Sequence, residues 1–239
     1  METPKPNWTL PGSEDRARKA VASQDEKRER ILGSAEELFA RQGYANTTMD
    51  QIVATLGMTK PFVYYYFRNK QEIFETLSWR AGVDCFSCMD FAEDDDRPAH
   101  AKVAQGLERL VRATLMHYPS AFFFYREPQV FRPEYHAAHK EVANHFYTRL
   151  CALLEQGKAE GTLAFGETKI TALAACSLSG FLFTWYRPDG RLSRDEIVVE
   201  LTQLSLRMIG LQVQPDAPGP TRAGRPARPA RTVRGARQA

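Results

Sequence analysis

Thr48-Met-Asp-Gln-Ile-Val-Ala-Thr-Leu-Gly-Met-Thr-Lys-Pro-Phe-Val-Tyr-Tyr-Tyr-Phe67 reads as two short helices around a tight turn. Thr48 is a good N-cap, because its hydroxyl can accept an orphan backbone N–H of the first turn. Ile52 and Leu56 recur at i, i+4 with Val53 beside them, which makes a core-facing stripe. Gly57 follows directly and tolerates the left-handed conformation that ends a helix. Thr59 is then a second N-cap, and Pro61 falls in a first turn, where a missing N–H costs little. Val63 and Phe67 share the inward face, leaving Lys60, Tyr64, Tyr65 and Tyr66 on or near the others. Three consecutive helix positions span about 200°, so one core cannot hold all three tyrosines and at least one reaches solvent or a ligand. Such a pair of helices has the build of a helix-turn-helix, whose second helix enters the DNA major groove.

The flanks support this. Residues 27–42 place Ile31, Leu32, Ala35, Leu38 and Phe39 at helical spacing. Gly43 ends that helix, and Tyr44 can fold back on it. Asn69 caps the helix that follows, with Glu72 three residues on in a capping-box-like pattern.

This segment resembles the N-terminal DNA-binding domain of the TetR/AcrR family of transcriptional regulators. The matching residues are Arg30-Ile-Leu, Ala35, Leu38-Phe39, Gly43-Tyr44, Thr47-Thr48, Ile52, Ala54, Gly57, Thr59, Val63-Tyr64, Phe67, Lys70 and Glu72, within residues 27–77. The resemblance implies phosphate contacts at Thr48, Tyr64, Tyr66 and Lys70. It implies groove-facing positions at Thr59, Lys60, Pro61, Phe62 and Tyr65. Tyr66 stands where many members have histidine, and Pro61 and Phe62 stand where small residues are common, so the operator sequence does not carry over. Phe62 could equally pack against the domain, and Lys70 could be an ordinary surface lysine.

Composition bounds the rest. The chain has 239 residues, 43% of them hydrophobic, enough for a sizeable core. No run of 18 apolar residues spans a membrane. Residues 1–24 lack an apolar leader segment and read as a disordered arm, and four cysteines suggest reduced thiols in the cytoplasm. Residues 213–239 form an Arg/Pro-rich tail in which Arg222, Arg225, Arg228, Arg231, Arg234 and Arg237 recur every third residue. It cannot bury a core and is expected to be disordered. A period of three suits polyproline II, with the arginines along one side. The tail is either a sequence-independent phosphate clamp or a solvated segment without a role.

Between these ends the periodicity is helical throughout, so the chain is expected to be all-α: a helix-turn-helix domain over 25–85 and a ligand-binding and dimerisation domain over 86–212. Helices fit about 70–90, 99–117, 120–126, 134–159, 168–186 and 194–211, with Ser193 and Glu196 a capping box. The last two helices are more apolar around their circumference than one core requires. Ala175, Ser179 and Phe183 on one, with Ile197, Leu201, Leu204 and Met208 on the other, suit a two-fold homodimer interface. The aromatics Phe122, Phe123, Tyr125, Phe146, Phe181 and Trp185 suggest a small-molecule cavity, although packing alone also accounts for any one of them. Trp185 to Ile197 resembles a signature of the family's lipid-catabolism branch, several members of which respond to acyl-CoA thioesters. That resemblance implies coenzyme A phosphate contacts at Arg126, Arg132, Arg149 or Arg187.

Other chemistry is thin. Cys85-Phe-Ser-Cys88 has no second pair at zinc spacing and reads as buried structural thiols. His136, His139 and His145 lack companions for a metal site. No nucleotide loop or nucleophile elbow is present, so neither an enzyme nor a cofactor is expected. The expectation is a repressor released from a palindromic operator DNA by a small hydrophobic effector, acyl-CoA or aromatic. The alternative is an activator or a less specific DNA-coating protein driven by the arginine tail.

Overall fold

A computed structural model describes residues 13–211, and among these the chain is all-α, with a single isolated β-bridge, Leu163 to Leu211. The arginine tail lies outside the described residues, as does the start of the N-terminal arm. The helices are α1 (Ser13–Gln42), α2 (Met49–Leu56), α3 (Lys60–Tyr66), α4 (Lys70–Phe86), α5 (Ala99–Met116), α6 (Phe123–Arg126), α7 (Pro133–Ala159), α8 (Thr168–Gly180), α9 (Leu182–Trp185) and α10 (Arg194–Met208).

Differences from the expected bounds have local causes. The first helix starts at Ser13 instead of 27, so residues 13–24 of the expected disordered arm are helical. The helix expected over 168–186 breaks at Phe181, whose backbone (φ −95°, ψ 3°) leaves the α-helical path. The segment 120–126 divides into a 3-10 turn, Ser120–Phe122, and α6.

α1 to α3 enclose the first core. Ile31, Leu32, Ala35, Leu38 and Phe39 of α1 meet Ile52 of α2, Val63 of α3 and Phe67 after it, all nearly or fully buried. Burying each of these side chains larger than alanine stabilises by about 1.5–3 kcal/mol. Tyr44 folds back as its position suggested, with its ring centroid 5.8 Å from Phe39 and 4.9 Å from Phe74. The other helices form two further clusters, one around Leu107, Phe146, Leu150 and Ala172, the other around Leu115, Phe122, Tyr186 and Ile197.

α4 belongs to both parts. Its Ile73 and Phe74 complete the first core, and Cys85 lies in the second. The junction around it is specific. Phe123 stacks on Phe74 at 4.3 Å between ring centroids. Glu75, 5% exposed, accepts from the backbone N–H of Arg132 and from its guanidinium at 2.5–3.1 Å. Gln71 Nε2 donates to Val130 O at 2.6 Å.

Candidate nucleic-acid interface and central cavity

The α2–α3 unit is built mostly from short-range contacts. Thr48 Oγ1 accepts from Gln51 N at 3.2 Å, and Gln51 Oε1 accepts from Thr48 N at 2.8 Å, a complete capping box. At the other end Gly57 has φ 62° and turns the chain, a left-handed conformation that costs most residues about 1–2 kcal/mol. Thr59 holds the N-cap position of α3, but its hydroxyl makes no cap bond and stays exposed. Asn69 Oδ1 accepts from Glu72 N at 2.9 Å, while Glu72 Oε2 accepts from Arg68 N, one residue before the position a capping box requires.

Val63 and Phe67 anchor α3 at 0% and 1% exposure, and this orients everything else on the helix. Tyr65 stands out at 73% exposure and Tyr64 at 42%. Pro61 and Lys60 are also exposed, with Lys60 Nζ 2.8 Å from Asp50 Oδ1, an ion pair that raises the lysine pKa. Phe62 and Tyr66 are half-buried, with rings 5.3 Å apart, so Phe62 both packs and keeps a solvent-facing edge. Thr59, Pro61, Tyr64 and Tyr65 thus present exposed side chains, with Lys60 exposed in its ion pair beside them.

Lys70 is placed differently from the expected phosphate contact. Its ammonium donates to the carbonyls of Tyr44 at 2.9 Å, Thr47 at 2.8 Å and Ala45 at 3.5 Å, and lies 4.3 Å from the Tyr44 ring centre. All three protons are aimed at the α1–α2 loop, so Lys70 shapes that loop.

A cavity of about 90 Å³ lies between α4, α5, the α6 segment, α7 and α8. Of the residues expected there, Phe122, Tyr125 and Phe146 line it. Phe123 does not; it wedges between Phe74 and Phe39 in the first core. Phe181 and Trp185 face solvent at 59% and 47% exposure. Phe122, at the end of the 3-10 turn, and Phe124, in α6, both line the cavity, while Phe123 between them packs in the first core. The lining that the aromatic pattern missed is largely small or polar: Ser78, Gly82, Thr114, His139 and Ser179, with Tyr147. Only the packing of distant helices reveals these.

Among the described residues, no Lys, Arg, Asp or Glu lines the cavity. Each arginine implied for coenzyme A is engaged elsewhere. Arg132 pairs with Glu75, Arg149 donates to Met89 O at 3.0 Å, Arg126 to Phe183 O at 3.2 Å and Arg187 to Tyr186 O at 3.0 Å. Burial pushes the thiol of Cys85 up to about 11 and that of Cys88 up to about 12, so both stay protonated and unreactive at neutral pH.

The expected interface residues divide. Ala175, Ser179, Ile197 and Leu201 are buried within the single chain, where α8 and α10 pack on their neighbours. Leu204 and Met208 remain exposed at 42% and 41%, and Phe183 is half-buried. Ile170, Leu173 and Phe181 of the α8 region, at 67%, 45% and 59%, continue an outward apolar surface that the small-residue pattern missed.

Two protein families match this chain. "Bacterial regulatory proteins, tetR family" covers residues 31–77, and "Tetracyclin repressor-like, C-terminal domain" covers residues 96–209. The HTH-type transcriptional regulator SrpR of Pseudomonas putida is 39% identical over 61 residues, 26% of this chain and 29% of SrpR. A tetR-family regulatory protein from Rhodococcus RHA1 superposes with a TM-score of 0.68 at 23% identity, covering 78% of this chain and 98% of the other. AibR, solved in complex with isovaleryl coenzyme A and operator DNA, superposes with a TM-score of 0.63 at 18% identity, covering 77% and 99%. At these identities the two structural likenesses establish the fold.

Proposed function

The chain belongs to the TetR family of bacterial regulatory proteins, and from that premise we propose that it is a cytoplasmic, ligand-responsive transcriptional regulator, a repressor that leaves its operator when an effector fills the central cavity. The observation that carries this is the outward face of α3, where Lys60, Tyr64 and Tyr65 project from a helix fixed by Val63 and Phe67. Seven residues of helix read too few bases alone. A second copy of the chain, docked through the apolar surface of Ile170, Leu173, Phe181, Leu204 and Met208, supplies the other half-site. Two half-sites about 34–36 Å apart, one turn of DNA, make the operator palindromic.

α4 couples the two activities. Ser78, Ala81 and Cys85 are its cavity wall, and Ile73 and Phe74 are its part of the DNA-binding core. An effector that presses on the wall tilts α4 and changes the separation of the two α3 helices. The shift is bounded by the effector's preference for the non-binding state. The uncharged lining favours a compact apolar or aromatic effector over an acyl-CoA, whose phosphates meet no arginine of the described residues at the cavity. The protein is not proposed to be an enzyme.

Footprinting on DNA upstream of the protein's own gene, at physiological salt, tests the reading. A single palindrome protected by the native chain and lost in Tyr65→Ala is the expected result. Protection of any DNA without sequence preference, unchanged by Tyr65→Ala, would refute it.

A further inference from the structure

The cavity has aromatic walls with several polar side chains among them. Phe86, Phe122, Phe124 and Phe146 supply ring faces. Three of its hydroxyls are already engaged: Ser78 Oγ accepts from Tyr135 at 2.8 Å, Thr114 Oγ1 donates to Leu110 O at 2.8 Å, and Ser179 Oγ donates to Cys176 O at 3.0 Å. His139 is not. It is 9% exposed, and its ring lies flat on Phe124 with centroids 3.9 Å apart. Neither of its ring nitrogens hydrogen-bonds a protein group among the described residues. His139 lines the cavity and its nitrogens are not among the fully buried polar atoms, so an accessible, unpaired nitrogen is a place for a ligand atom. The hydroxyls of Tyr125 and Tyr147, on the same lining, are likewise without a protein hydrogen bond.

We propose that His139 is the polar anchor of the effector, and that the effector is an uncharged, single-ring aromatic carrying one hydrogen-bonding oxygen, the chemistry of a simple phenol. This rests on the cavity being the effector site. The ring packs among the phenylalanines. Its hydroxyl donates to the imidazole and accepts from a tyrosine. An anion is disfavoured, because among the described residues no Lys or Arg lines the cavity to offset the loss of water around it. Size argues the same way: an apolar cavity of about 150 Å³ accepts benzene, so about 90 Å³ suits one ring after slight adjustment.

Calorimetric titration of the full chain with p-cresol, toluene and benzoate, in the native protein, His139→Phe and His139→Gln, tests this. p-Cresol is expected to bind with a dissociation constant of about 1 mM or tighter. In His139→Phe, which keeps the ring stack, p-cresol is expected to weaken about tenfold while toluene is unchanged, and His139→Gln restores part of the loss. Benzoate is expected to bind at least about tenfold more weakly than p-cresol. Equal p-cresol affinity in native protein and His139→Phe, benzoate tighter than p-cresol, or no p-cresol binding would each overturn the proposal. Should His139→Phe not fold, His139→Gln and the three-ligand series on the native chain still decide it. Operator binding measured on the same samples separates the two readings. Loss of operator recognition with intact p-cresol binding counts against the regulator, and the converse counts against His139 alone.

Discussion

The helix-turn-helix and the central cavity are both made of helices, but contacts of different range fix their side chains. In α2–α3 the capping box joins residues 48 and 51, the turn is one glycine, and Lys60 pairs with Asp50. In the cavity the walls come from separate segments, from Ser78 on α4 through Gly180 at the end of α8, which are far apart in sequence. A motif held by local contacts can be recognised residue by residue. A site assembled from distant segments cannot, because each residue's direction depends on how several helices pack.

Substitutions can break or sharpen this contrast. Phe67→Ala empties a position that is 1% exposed in the first core. It is expected to cost about 3–5 kcal/mol in denaturant unfolding. A smaller loss would show that the DNA-binding unit is less tightly built than its local contacts imply. Arg132→Ala leaves the Glu75 carboxylate, 5% exposed, without its cation at the junction of the two regions. The denaturation midpoint should fall, and an unchanged midpoint would mean the junction does not depend on this pair.

Lys70→Met separates a loop-shaping role from a phosphate contact. Loss of its bonds to the Tyr44 and Thr47 carbonyls is expected to cost about 2 kcal/mol. The salt dependence of operator binding should keep its slope; a slope lower by about one would restore the phosphate contact. Tyr65→Ala is expected to change stability by less than about 0.5 kcal/mol, since the ring is 73% exposed, while operator affinity falls. The smallest effect concerns His139, whose pKa is lowered, first by burial and then by the neighbouring His136. A base held neutral in the folded state takes up protons more readily when unfolded. Stability should therefore decline as pH falls from the ordinary histidine value of 6.5 toward the lower folded value. The pH profile of thermal unfolding in His139→Phe should be flatter there; identical profiles would contradict it.

Much of the DNA-binding half was legible in the sequence. Thr48, Gly57 and Asn69 perform the capping and turning their chemistry suggests, and Val63 and Phe67 are inside as their spacing requires. Lys70 was not legible, because the carbonyls it binds lie 23 to 26 residues earlier and no periodicity links them. In the body, helix positions were close to those expected, but the roles of Phe123, Phe181 and Trp185 were not. Hydrophobic pattern marks a residue as apolar without saying which of two cores receives it. Ala175 and Leu201 show the same ambiguity: small and apolar residues suit a helix packed within one chain as well as a helix packed on a partner.

The sequence by itself determined the helical class, most helix ends and the outward display of α3, because these follow from caps, glycine and a 3.6-residue period acting over a few residues. Only the tertiary structure decided that Lys70 holds a loop, that Phe123 belongs to the DNA-binding core, and that His139 reaches an uncharged cavity without a partner. Those depend on which distant helices come together, and that choice is made by the summed burial of many side chains rather than by any one of them.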